Sequence, residues 1–161
     1  MVILTIIGLI LLIVLDQFSK YWMSSYLTQN GDIRLWENVL HFTYVENKGA
    51  AFGILQGRTM LLLIIVACVI LIIPFIYVKL PKDKWGKVAR FALVFITAGA
   101  IGNFIDRLLF GYVRDFIYFV PINFPVFNIA DVLVVVGVGI LTLSLFYSDN
   151  EDMQKEVKDE K

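Results

Sequence analysis

From Met60 to Pro74 the chain carries only apolar side chains apart from Cys68, and this run constrains the fold more than any other feature. Taken as Thr59–Val78, it has the roughly 20 residues a helix needs to cross a hydrocarbon core. Three further stretches read the same way: about Val2 to Met23, Val88 to Ile105 and Phe124 to Tyr147. Of 161 residues, 59% are hydrophobic and 17% charged, which excludes an ordinary soluble domain. The expected fold class is an all-α integral membrane protein with four transmembrane helices. Residues 1–147 form one membrane domain, and 148–161 a charged tail that frays into solvent.

The first span has no basic segment before it and no small-x-small site after it, so it reads as a retained helix rather than a cleaved leader. Lys79, Lys82, Lys84 and Lys87 lie between spans two and three, and Lys155, Lys158 and Lys161 in the tail. The positive-inside bias puts both groups, and both termini, in the cytoplasm of a multi-pass protein. Loops 24–58 and 106–123 then face outward. In the first of them Leu40, Phe42 and Tyr44 alternate with His41, Thr43 and Val45. That period-two pattern predicts a small extracytoplasmic β-type platform at headgroup level, with His41 at its surface. Ala98, Gly99, Ala100 and Gly102 make span three the natural centre of the bundle, since small residues let helix backbones approach.

Fourteen basic residues balance fourteen acidic ones, so nucleic acid is not an expected partner. A lone cysteine and a lone histidine leave too few soft ligands for zinc or copper, and no disulfide framework exists. The polar residues that remain gather at one end of the bundle: Asp16 and Lys20, Asn103, Asp106 and Arg107, Asp115, Asn128 and Asp131. An ionisable group in apolar surroundings costs about 3 kcal/mol or more and by default marks a functional site. Asp131, eighth residue of a span counted from Phe124, is expected about 10 Å below the membrane boundary. Asp16 and Lys20 are spaced for a helical ion pair. Asp106 and Arg107 suit either a helix-end anchor or a role in orienting the site.

Two neighbouring carboxylates repel, so one keeps its proton and the pair titrates as a unit. Such a pair can activate water with one member and protonate a carbonyl oxygen with the other, without metal, cofactor or covalent intermediate. Peptide hydrolysis fits this, and so does a proton-coupled transporter using the same acids as a relay.

The ordered motifs Asp16-Gln17-Phe18-Ser19-Lys20, Asn47-Lys48-Gly49-Ala50-Ala51-Phe52-Gly53, Gly99-Ala100-Ile101-Gly102-Asn103-Phe104-Ile105-Asp106-Arg107, Val113-Arg114-Asp115-Phe116 and Phe127-Asn128-Ile129-Ala130-Asp131 resemble those of the type II signal peptidases of bacteria. Ala98 departs from a glycine common there. The resemblance implies an aspartyl endopeptidase of the bacterial inner membrane, active near its outer face. It would remove signal peptides from diacylglyceryl-modified prolipoproteins, cutting before the lipidated cysteine. Asp115 and Asp131 would be catalytic. Asn47 and Arg107 would hold substrate, Gly49 would bind substrate or support the site, and Asn103, Asp106, Asn128, Asp16 and Lys20 would support it. Membrane lipids and lipid-modified signal peptides are the expected partners, and a monomer is expected because one chain supplies every part. The apolar segment 116–124 is expected to dip into the interface as a loop and gate the site.

Overall fold

The computed structural model describes residues 2–49 and 54–159, with side chains between Ile3 and Ser148; the Ala50, Ala51, Phe52 and Gly53 part of the loop motif lies outside the described residues. Helix α1 (Val2–Asn30) is followed by strands β1 (Ile33–Trp36) and β2 (Leu40–Asn47). Helices α2 (Thr59–Lys79) and α3 (Lys84–Phe110), strand β3 (Val113–Phe119), a 3-10 turn (Val120–Ile122) and helix α4 (Ile129–Asp159) complete the chain. All four helices are long and apolar enough to cross a membrane. Large apolar residues such as Leu4, Met60, Phe75 and Val135 face outward and stay uncovered, as a lipid-facing surface requires.

Helix α3 packs against all three other helices, most extensively α4. Ala92 and Ala98 are fully buried, and a Cβ on Gly99 would collide with the backbone oxygen of Ala130. Close backbone approach is what these small residues provide. Asp83 opens α3 by accepting the Gly86 N–H at 2.6 Å, and Gly111, at φ +81°, closes it by donating to Arg107 O.

The platform is a three-stranded antiparallel sheet in the order β1-β2-β3. β2 lies where the alternation predicts it. Its partner β3 comes from the second outer loop, with Phe42 opposite Ile117 and Val45 opposite Asp115, so one extra residue of β2 bulges out beside Asp115. α1 runs seven residues beyond the expected end at Met23 and supports the sheet: Met23 and Leu27 pack with Phe116 in a buried cluster flanked by Phe42, Tyr44 and Ile129. Each such burial stabilises by about 1.5–3 kcal/mol. His41 is half-buried rather than on the surface, its ring edge-on to Tyr118.

Other expectations change. Residues 116–119 are not a free loop but part of β3, and Val120 N donates to Val39 O at 3.0 Å, so movement there would have to break sheet hydrogen bonds. The fourth helix starts at Ile129, not Phe124, because Phe127 exchanges backbone hydrogen bonds with Ile117 and Pro125 disfavours helix in the residue before it. Beyond the apolar span ending at Ser148, the backbone stays helical to Asp159 instead of fraying.

Candidate functional site

The late start of α4 alters the position of Asp131. It is the third residue of the helix, in the first turn, rather than a residue two turns deep. Asn128 and Asp131 cap the helix reciprocally. Asp131 N donates to Asn128 Oδ1, and Asn128 N donates to Asp131 Oδ2, both at 3.1 Å. This is the geometry of a capping box built from Asn and Asp. The other carboxylate oxygen, Oδ1, accepts from Asn103 Nδ2 at 2.8 Å.

Asp115 comes from the opposite direction, on β3, and is buried. Asn128 Nδ2 donates to its Oδ1 at 2.6 Å and Asn47 Nδ2 to its Oδ2 at 2.8 Å. Asn128 therefore touches both aspartates, with its side-chain amide on Asp115 and its backbone amide on Asp131. Burial, and after it the charge of Asp131, pushes the Asp115 carboxyl up to about 7.

Each asparagine is held by a further contact. Asn103 Oδ1 accepts from Lys20 Nζ at 2.9 Å and from Asn128 Nδ2 at 3.1 Å, which turns the Asn103 amino group toward Asp131. Asn47 Oδ1 accepts from Gly49 N at 2.9 Å, and Gly49 O accepts from Arg107 Nη2 at 2.7 Å. Arg107 thus holds the loop that aims Asn47 at Asp115.

Beneath the aspartates lies a fully buried ion-pair cluster. Lys20 does not reach for the membrane surface: its Nζ is 2.9 Å from Asp16 and 4.0 Å from Asp106, with all three side chains inaccessible. The other Asp16 oxygen accepts from Ala130 N at 2.9 Å, tying α1 to the first turn of α4. A Cβ on Gly102 would strike the Asp16 carboxylate. Asp106 does not pair with its neighbour Arg107. It pairs with Arg114, which donates from Nε at 3.0 Å, Nη2 at 2.8 Å and its backbone N at 2.9 Å.

Sequence reasoning gave no role to Arg114 or Gln17. Gln17 accepts from Arg114 at 3.1 Å and donates to Asp106 at 3.2 Å and Gly102 O at 3.0 Å. Both stand inside quoted motifs, and a glutamine in an apolar helix was the available signal. The arrangement joins four acids (Asp16, Asp106, Asp115, Asp131) to three bases (Lys20, Arg107, Arg114). One proton makes the set neutral. Among the described residues, Asp16 and Asp106 form ion pairs, whereas Asp115 and Asp131 form a pair held by asparagines.

Comparison with known proteins bears on what such a pair is for. Residues 8–147 match the family model described as signal peptidase (SPase) II. This chain belongs to the signal peptidase II family. It is 44% identical over 135 residues to a lipoprotein signal peptidase of Brevibacillus brevis, covering 84% of this chain and 89% of that protein. It is 42% identical over 149 residues to one from Halalkalibacterium halodurans, covering 91% and 94%. A solved structure described as a bacterial membrane enzyme at 2.3 Å superposes with a TM-score of 0.80 at 29% identity, over 91% of this chain and 90% of that one. Membership of the signal peptidase II family makes the protein a peptidase, hence a hydrolase, of a bacterial membrane. The transporter reading falls away.

Proposed function

We propose that this signal peptidase II hydrolyses its substrate as an aspartyl endopeptidase, with Asp115 and Asp131 as the catalytic pair. The observation that carries the reading is the bridging of two carboxylates by the single residue Asn128, in a cluster that needs one proton for neutrality. The proton rests on Asp115, whose carboxyl is pushed up to about 7. The other carboxylate takes a proton from water as that water attacks the scissile carbonyl carbon. Asp115 gives its proton to the carbonyl oxygen, forming a tetrahedral diol. Collapse returns a proton to the leaving amine. Acid–base assistance of this kind contributes about 10²–10⁴-fold.

The substrate in this reading is a diacylglyceryl-modified prolipoprotein, cut before its lipidated cysteine. Support comes from the names of the relatives and from the surface around the site, where Leu35, Trp36 and Ile122 are more than half exposed. Such side chains rest at the membrane interface beside a lipid-bearing peptide. The basic link between α2 and α3 supports an inner membrane orientation with both termini cytoplasmic and the site near the outer face. Asn47, Gly49 and Arg107 form the rim at which the peptide backbone would bind; Asp16, Lys20, Asn103, Asp106 and Asn128 hold the pair in place. The protein acts as a monomer, with residues 1–147 as the working unit and 148–161 as a cytoplasmic tail.

Purified protein incubated with a diacylglyceryl-modified prolipoprotein tests this directly. Wild type cleaves; Asp115→Asn and Asp131→Asn, shown to be folded, lose at least about 10²-fold. Full activity in either variant overturns the two-aspartate mechanism, and no cleavage by folded wild type overturns the substrate.

A further inference from the structure

The far end of the bundle, away from the aspartates, contains a groove of about 580 Å³ between α1 and α3, floored by Tyr77 of α2. Its walls are apolar, with Leu4 and Leu12 from α1 and Phe91 and Phe95 from α3. Its mouth is not. Lys87 and Arg90 line it there, one turn apart on α3, and Lys84 and Lys82 precede them in the chain.

Among the described residues, neither cation at the mouth has an ion-pair partner. Among the described residues Arg90 donates to the carbonyls of Leu80, Pro81 and Gly86, and its guanidinium lies 5.6 Å from the centre of the Tyr77 ring. Lys87 is exposed. The one acid of the α2–α3 link, Asp83, has a carboxylate occupied with capping α3.

We propose that this groove is a binding site for an anionic phospholipid, with one acyl chain between α1 and α3 and the phosphate at Lys87 and Arg90. An apolar slot that opens to lipid and ends in two cations paired with no carboxylate of the described residues matches that molecule at both ends. Basic pockets between membrane helices take acidic headgroups for this reason. A zwitterionic lipid offers the same chain but no net charge. The apolar helix of a signal peptide fits the slot less well, because its basic amino-terminal region would meet like charge there. Lys87 and Arg90 are on the first two turns of α3, whereas Asn103, which touches Asp131, is near its other end, so the proposal stands apart from the peptidase mechanism.

Native mass spectrometry of delipidated protein in detergent, titrated with dioleoyl phosphatidylglycerol or dioleoyl phosphatidylcholine, tests it. At about five-fold per cation, wild type is expected to prefer the first lipid by about 25-fold at one site. Lys87→Glu changes two charges and abolishes the preference; the milder Lys87→Gln reduces it about five-fold. Gly8→Leu places bulk in the groove where a Cβ meets nothing within 4 Å, so the fold is kept and both lipids bind more weakly. Equal affinity for the two lipids in wild type overturns the proposal. So does a preference that survives both Lys87 variants, or lipid binding that Gly8→Leu leaves unchanged. Displacement of the bound phosphatidylglycerol by a basic signal peptide would assign the groove to the peptide instead.

Discussion

Asp115 binds its proton more tightly in the folded protein than its ordinary value of 3.8 implies, because burial and the charge of Asp131 both disfavour its ionised form. Two consequences follow for pH. A raised carboxyl contributes stability that is complete below the unfolded value and is lost as pH rises through the folded one. Wild type is therefore expected to lose up to a few kcal/mol between about pH 4 and 7 on account of this residue. Thermal melts in detergent should show a decline that Asp115→Asn lacks, with the variant the more stable protein under alkaline conditions. Parallel curves would mean that Asp115 is not the group concerned. Proteolysis has the same limb, since the acid form of Asp115 disappears above about pH 7, and kcat should fall there. Lys20 gives a second test at this scale. Lys20→Met leaves Asp16 as an uncompensated buried charge and releases the Asn103 amide from its fixed orientation. A loss of about 3–5 kcal/mol is expected. Adding Asp16→Asn should recover most of the stability in denaturation but not the turnover, because Asn103 stays unpinned.

Helix α3 and helix α4 meet through residues without side-chain bulk, so that interface is sensitive to a single methyl group. Gly99→Ala pushes a methyl into the Ala130 backbone, one residue from Asp131, and should cost several kcal/mol together with most activity. Gly139→Ala, on the same α4 but with nothing within 4 Å of the added Cβ, should be neutral or stabilise by about 0.5–1 kcal/mol. Similar melting temperatures for the two variants would count against close helix approach as the reason for Gly99. At this scale much of the fold was legible. The spans follow from summed hydropathy, and β2 follows from the alternation of Leu40, Phe42 and Tyr44. β3 was not legible. Phe116 to Val120 is a continuous apolar run, which fits an interfacial loop as well as a strand, and its partner β2 lies some 70 residues earlier in the chain. The start of α4 was misplaced for a related reason. Hydropathy sees Phe124 and Phe127 as span, whereas their backbones are held by β3, Phe124 by Phe119 and Phe127 by Ile117.

Across the whole molecule, Arg114 joins three elements: it is on β3, pairs with Asp106 of α3 and donates to Gln17 of α1. Its guanidinium also lies 4.7 Å from the Phe110 ring centre. Arg114→Gln should destabilise the protein by about 3–5 kcal/mol, since it strands Asp106 beside the site. Arg114→Lys should recover only part of this, because one ammonium cannot replace a forked contact. Equal stability of wild type and Arg114→Gln in chemical denaturation would remove Arg114 from the account. Which base Asp106 selects shows how responsibility divides. Sequence by itself determined the number of spans, the order of the motifs and most of the polar residues at one end of the bundle, Arg114 and Gln17 excepted. These are properties of local composition and of the alternation of helices across a membrane. The tertiary structure decided the pairing. The left-handed turn at Gly111 folds the chain back so that Arg114, not the adjacent Arg107, reaches Asp106, and leaves Arg107 free to hold Gly49. The same folding sets Asn128 between the two aspartates. Hydrogen bonds act over about 3 Å, and distances that short are fixed only when separate elements are packed together.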